Sequence, residues 1–260
     1  MNAEKITALR EMMKAYSAQE LANHTQTDME AGLPQPPIDR IRDGSKLIEL
    51  TKEFDGLMKN NSFLSVLNSR ASHRAYTEEP LALDELAFLL WATQGVKIVG
   101  RTRRATLRTV PSGGARHALE CYIFVNRVTG LEPGLYHYLA LEHKLEFMGS
   151  LEHQEETVTQ VFGGQAFCGR AAACFVYTAI PYRMEFRYNE KAHKYMMAEA
   201  GHACQNLYLA CEALELGACA IGEYHQSEVD ALLGLDSAPS ASPDSEYAVY
   251  VACVGRPKTE

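Results

Sequence analysis

Two arginines and a serine alternate in Asn68-Ser-Arg-Ala-Ser-His-Arg-Ala-Tyr76. That spacing lets the Arg70 and Arg74 guanidinium forks and the Ser72 hydroxyl converge on one anion, a geometry suited to phosphate. Judged alone, the stretch reads more readily as a solvated basic loop. Arg101, Arg103, Arg104 and Arg108 make the dense basic cluster of an acidic chain. Such a cluster points to a local anionic ligand or to salt bridges with the acidic surface. It runs into Pro111-Ser-Gly-Gly-Ala-Arg-His117, where Pro111 fixes the backbone and Gly113 and Gly114 remove side chains. Ser112 is then presented at a helix start, where free N–H groups point outward. From Gly217 to Gly222 only Ile221 is bulky, so a turn there lets backbone N–H groups approach a flat ligand. A helix C-cap followed by a short buried strand has the same signature.

The elements that must position these groups centre on Lys191 to Gly222, read as one long helix and a glycine-punctuated turn. Ala, Leu, Met, Tyr and Cys cover most of its faces, which places it in a core. Glu199, His202, Gln205 and Asn206 recur at three- and four-residue spacing, forming a polar stripe that needs partners in the protein or on a bound molecule. Upstream, Ala3 to Ala22 has amphipathic helical spacing with Ile6, Leu9, Met12 or Met13, and Tyr16 on one side. Asn23 to Arg42 is polar and proline-marked, an extended wrap. Lys46 to Thr51 suits a short strand, and Phe54 to Leu67 a loop entering a helix. Asp84 to Gln94 is a helix with Leu86, Leu89 and Leu90 inward and Gly95 closing it. Strands are expected at Cys121 to Asn126, Gly134 to Tyr138, Leu145 to Met148, Ala172 to Ile180 and Tyr247 to Val254. Helices are expected at Gln154 to Phe162 and at Glu228 to Leu233, the latter capped by Ser227. Pro239 to Asp244 reads as a surface loop. Helices alternate with hairpin-like strand neighbours, so the class is α+β, with a mixed or antiparallel sheet flanked by helices.

The chain has 260 residues, is 47% hydrophobic and carries a formal net charge of -8. That balance argues against a general binder of nucleic acid or anionic membrane. No apolar run is long enough to span a bilayer and no N-terminal targeting segment is evident, so a cytoplasmic location is expected. The 7 cysteines form no CxxC pair and sit in apolar runs, as reduced core residues do. The histidines make no HExxH pattern and no metal is expected. Neither GxGxxG nor a P-loop occurs.

Three motifs stand in fixed order: Arg70-x-Ser72-x-Arg74-x-Tyr76, Pro111-Ser-Gly-Gly-Ala-Arg-His117, and Glu199-Ala-Gly-His-x-x-Gln-Asn-Leu-Tyr208 leading to Leu216-Gly-Ala-Cys-Ala-Ile-Gly222. Together they resemble the nitroreductase superfamily of FMN proteins, specifically its SagB/ThcOx-type dehydrogenase branch. Gly134-Leu-Tyr-His-Tyr138 and Tyr250-Val-Ala-Cys-Val-Gly-Arg256 are similar to that branch as well. The resemblance covers Leu64 to the C-terminus, dividing the chain into an arm and wrap over 1–62 and a flavin-binding domain over 63–260.

The resemblance implies a nitroreductase-like α+β fold working as an intertwined homodimer with FMN held between subunits. Arg70, Ala71, Ser72 and Arg74 would grip its phosphate and ribityl chain. Pro111, Ser112, Gly113 and Gly114 would cover the ring from the partner subunit. Ala220, Ile221 and Gly222 would lie along the ring, with the Gly222 N–H near N5. Arg256 would add a phosphate contact, and Arg108 or Arg116 would place a cation near the N1 and O2 edge. Tyr195, Glu199 and His202 are candidates for shaping the substrate side, or for bracing the central helix. The expected activity is transfer of electrons from NAD(P)H through the flavin to a nitro compound, quinone or similar acceptor. Rival readings are azoline oxidation on a peptide, flavin fragmentation as in BluB-like relatives, and a flavin-binding subunit without turnover of its own.

Overall fold

The computed structural model describes residues 2–40, 46–102, 104–236 and 242–258. In chain order the elements are α1 (Ala3–Met12), α2 (Ala18–Ala22), β1 (Lys46–Glu49), α3 (Phe63–Ser69), α4 (Leu83–Gln94), β2 (Val96–Val99), β3 (Thr106–Arg108) and β4 (Leu119–Val125). Then follow β5 (Gly134–Leu139), β6 (Lys144–Gly149), α5 (Gln154–Val161), α6 (Ala166–Gly169), β7 (Ala173–Ala179), α7 (Tyr182–Tyr188), α8 (Ala192–Ala213), β8 (Gly217–Ile221), α9 (Gln226–Leu232) and β9 (Tyr247–Gly255). Seven strands form one sheet in the order β1-β6-β5-β4-β7-β9-β8, and every neighbouring pair is antiparallel. A separate ribbon pairs β2 with β3.

Helices cover both faces, which is why β4 and β7 are buried along their whole length and read as apolar runs interrupted only at Glu120 and Thr178. On one face Leu119, Cys121, Ile123 and Val125 of β4 pack with Phe175 and Tyr177 of β7 against α4 and α8. On the other, Tyr122, Phe124, Cys174 and Val176 pack against Val158, Phe162 and Val229 from the α5, α6 and α9 layer. The α+β class and antiparallel sheet expected from the strand pattern are what the structure has, and Leu86, Leu89 and Leu90 of α4 are fully buried. All seven cysteines are free and buried. Among the described residues no helix is long and apolar enough to cross a membrane.

Several expectations need correction. The N-terminal arm is two short helices, not one. Ser17 starts α2 with a reciprocal cap to Glu20, and neither α1 nor α2 buries a residue. Leu9 and Met12 of the amphipathic stripe stay exposed, and Tyr16 at its end reaches Glu190 at 3.2 Å. The glycine stretch after α8 is strand β8, not a turn. The last helix starts at Gln226 with His225 in the cap position, so Ser227 lies inside it. Arg103, the end of the wrap at Arg42 and the first half of the Pro239 to Asp244 loop lie outside the described residues. The wrap itself is tied down over α7: Met29 N–H donates to Phe186 O at 2.9 Å, Tyr182 OH to Asp28 at 2.8 Å and Arg183 Nε to Pro37 O at 2.9 Å. From Lys46 onward the chain is built into the main sheet, because β1 pairs with β6.

Candidate functional site

Helix α8 carries two constellations, one near each end. At its C-terminal end the chain leaves α3 at Arg70 and runs beside β8, bridging Ser72 to Ala218, with His73 N–H donating to Ala218 O at 2.9 Å. Gly217 permits this approach, since a Cβ there would stand 2.7 Å from His73 Cβ. Tyr208 of α8 ties the two strands together. Its hydroxyl accepts the Ala220 N–H at 2.7 Å and shares a hydrogen bond with Ser72 Oγ at 2.9 Å, while the Arg70 guanidinium lies 5.4 Å from its ring centroid. Glu212, one turn on, accepts the Ala71 N–H at 3.2 Å. Arg70 and Arg74 form no ion pair among the described residues, and Ala71, Ser72, Arg74 and Gly222 are exposed. Ala220 is half-buried and Ile221 buried. Nothing lies within 4 Å of a Cβ added at Gly222, so the end of β8 is an open, side-chain-poor surface.

Near the N-terminal end of α8 lies the Pro111 to His117 segment. Gly113 to Ala115 is a short 3₁₀ turn, not the start of a full helix, and the Ser112 hydroxyl turns inward to accept the His117 N–H at 2.9 Å. Gly114 has φ +57°, a left-handed conformation that favours glycine, and a Cβ there would come 2.7 Å from Tyr188 OH. A Cβ on Gly113 would meet Tyr188 and Tyr195. Arg116 is held by the Gly114 and Arg104 carbonyls at 3.1 and 3.0 Å. Behind the turn, Glu199 is buried, with His117 Nδ1 3.8 Å from its carboxylate. Burial pushes the Glu199 carboxyl up to about 7, against the nearby Ser112 hydroxyl and the Arg108 charge, which favour the ionised form. Burial, reinforced by Arg108, drives His117 down to about 3, so that ring is neutral near pH 7.

The polar stripe expected on α8 divides. Glu199 and Asn206 are seven residues apart, within about 20° of the same face. Asn206 reaches Ala92 O at 2.9 Å, whereas His202 and Gln205 are rotated away and exposed. Arg108 is buried, with Nη1 bonded to Gln94 at 3.0 Å and Nε to Thr106 at 3.2 Å, so its charge is engaged internally. Arg256 is likewise occupied, pairing with Glu79 at 2.7 Å and Glu85 at 3.0 Å.

Two features were not read from the sequence. One is Tyr208 as the junction of the first and third motifs. Its signal was a hydroxyl four residues from Glu212 on an otherwise apolar helix. The other is a buried ionic row across the sheet. His137 places Nε2 2.9 Å from Glu120 and Nδ1 3.1 Å from Glu146, and Arg183 pairs with Glu120 at 2.6 Å. Burial alone would lower His137, but its two carboxylate hydrogen bonds outweigh that and hold it up at about 9. Glu120, although buried, is drawn down to about 2 by Arg183 and His137.

The fold that sets the arginine-serine-arginine segment against a small-residue strand edge is matched by the model of an oxidoreductase family. The chain belongs to the nitroreductase family, whose model matches residues 67–256. It is 32% identical over 191 residues to a nitroreductase homologue of Methanocaldococcus jannaschii, covering 74% of this chain and 89% of that one. It is 30% identical over 136 residues to the trifolitoxin-processing protein TfxB of Rhizobium leguminosarum bv. trifolii, covering 50% of this chain and 36% of that one. A nitroreductase-type crystal structure from Ralstonia eutropha matches with a TM-score of 0.66 at 25% identity, over 88% of this chain and 96% of that one.

Proposed function

We propose that this oxidoreductase binds FMN along β8 and passes electrons from NAD(P)H to a small organic acceptor such as a nitro compound or quinone. The observation that carries the reading is the pairing of Arg70, Ser72 and Arg74, which have no carboxylate partner among the described residues, with the open edge at Ala220 and Gly222. The guanidinium and hydroxyl groups would hold the phosphate and ribityl chain, and the edge would lie along the ring. When bound, the flavin supplies the hydride and electron chemistry, and the protein supplies orientation and electrostatics. Tyr208 fixes the clamp segment to β8, so both parts of the cradle move as one. The clamp meets α8 at Tyr208 and the glycine turn meets it at Tyr195, thirteen residues or about 20 Å apart along the helix. That separation supports a homodimer in which the Pro111 to Gly114 turn of one copy covers the ring held by the other. Tyr195 and Glu199 would then border the acceptor, and the exposed His202 would face the second copy.

A second reading, oxidation of a peptide substrate, is favoured by the similarity to the trifolitoxin-processing protein. Anaerobic mixing of the flavin-loaded protein with NADH or NADPH separates the two. Rapid loss of the yellow absorbance, restored by a nitroarene or quinone, supports the reductase. Absence of reduction by either nucleotide removes it and leaves the peptide reading.

A further inference from the structure

No cysteine side chain takes part in the site described above, yet two thiols face each other inside the sheet. Cys174 of β7 and Cys253 of β9 are directly opposed in the antiparallel register, and their sulfurs lie 2.9 Å apart. Both are fully buried, on the sheet face that packs against Val158, Phe162 and Val229. Opposed residues of antiparallel strands have Cα atoms about 4.5 to 5.5 Å apart, inside the span of about 4.4 to 6.8 Å that a disulfide bridges. Even two carbon atoms settle no closer than about 3.5 Å, so these sulfurs stand inside ordinary non-bonded contact. Closing to a covalent bond of about 2.04 Å takes less than about 1 Å of movement.

The surroundings single out this pair. Cys253 also has Cys219 of β8 opposite it on its other side, and Cys168 of α6 lies over the same layer. The sulfur contact goes to Cys174, whose S–H donates to Cys168 O at 3.2 Å. Burial, with Cys168 and Cys174 close by, holds the Cys253 thiol well above its ordinary range. Its reactive thiolate is therefore scarce near pH 7, and the pair stays a dithiol until a small oxidant reaches it. Tyr76 OH, 3.1 Å from Cys253 O and 2.6 Å from His73 O, joins this stretch of β9 to the arginine-serine-arginine segment.

We propose that Cys174 and Cys253 form a modification site, converted by hydrogen peroxide into a cross-strand disulfide. One sulfur attacks a peroxide oxygen, the O–O bond breaks and water leaves, giving a sulfenic acid. The second sulfur then attacks the first, the S–O bond breaks and a second water leaves as the S–S bond forms. The two thiols lose two protons and two electrons, and the peroxide takes up both as it becomes two waters. The bridge locks β7 to β9 across 79 positions of sequence.

The test uses the native chain, reduced, freed of reductant, treated with hydrogen peroxide and quenched with catalase. Denaturation and alkylation follow, and intact mass and peptides are read. Before treatment all 7 cysteines take the label. Afterwards two fewer do, and the peptides carrying Cys174 and Cys253 travel as one until reduced. Cys174→Ala is treated alongside, so that methionine oxidation cancels. Relative to that variant, treatment shifts the Tm of the native chain upward by at least about 5 °C, because the closed loop is long. Full labelling after treatment, a bridge to Cys168 or Cys219 instead, or oxidation of either cysteine to a sulfinic acid without a bridge overturns the proposal. A mapped bridge without the upward shift would have formed in unfolded molecules and overturns it as well. Should Cys174→Ala not fold, Cys253→Ala takes its place, and peptide mapping of the native chain decides in either case.

Discussion

Replacing Tyr208 with phenylalanine tests whether one hydroxyl joins the phosphate-clamp segment to the strand edge. The ring stays, and with it the contact to Arg70, but the Ala220 N–H loses its 2.7 Å acceptor and Ser72 loses a 2.9 Å partner. Ser72 is exposed, so water replaces its lost bond at little cost. Ala220 is half-buried, and an N–H left without an acceptor there costs about 1 to 1.5 kcal/mol, toward the lower end of the range for orphaned donors. For a chain of this size that corresponds to a fall in Tm of about 2 to 6 °C. Ser72→Ala, which orphans nothing, should cost under about 0.5 kcal/mol. The two changes remove one shared bond, so a double-mutant cycle should show coupling of at least about 0.5 kcal/mol. Flavin titration should show a loss of about five- to tenfold for Tyr208→Phe, since the cations remain but their segment is no longer tied to β8. Differential scanning calorimetry and flavin fluorescence titration measure both quantities. A Tyr208→Phe protein with unchanged Tm and flavin affinity would refute the reasoning, because the junction would then be incidental.

Changing both Arg70 and Arg74 to alanine should weaken FMN binding at least about a hundredfold, measured by equilibrium titration; a double variant that purifies fully loaded contradicts the clamp. Gly217→Ala should shift the motif off β8, costing about 1 to 3 kcal/mol in urea unfolding, because its Cβ would collide with His73. Gly222→Ala meets nothing within 4 Å and should leave Tm within about 1 °C while impairing flavin binding or reduction. His137 is held up at about 9 in the fold against an ordinary value near 6.5, so its ionic row contributes fully below about pH 6.5 and is lost as pH rises through 9. Urea unfolding should therefore show stability falling by a few kcal/mol between those limits, and a flat profile in His137→Gln.

The strands were legible because helices cover both sheet faces, turning β4, β7 and β9 into apolar runs bounded by polar turns. The arginine-serine-arginine segment stood out because arginine and serine alternate at strand spacing. The small residues of β8 were visible, but glycine and alanine serve a turn and a close-packed strand equally well. Only the pairing with β9 and the approach of His73 decide between them. The polar stripe of α8 was overread, because spacing of three or four residues permits a shared face without enforcing one; His202 and Gln205 drift off it. Partners far apart in sequence stayed hidden. Tyr208 meets Ser72 across 136 positions, and His137 finds Glu120 and Glu146 only through strand pairing. The α7 segment, which supplies Tyr188 to the glycine turn, is rich in charged and aromatic residues and offers no clean period.

Helix α8 also behaves as a measuring rod. Its two ends present Tyr195 to the glycine turn and Tyr208 to the arginine-serine-arginine segment, so the phase between them is set by residue count alone. Inserting one residue between them would swing one end by about 100° relative to the other and push it about 1.5 Å along the axis. The length of this rod cannot drift without putting one contact or the other out of step.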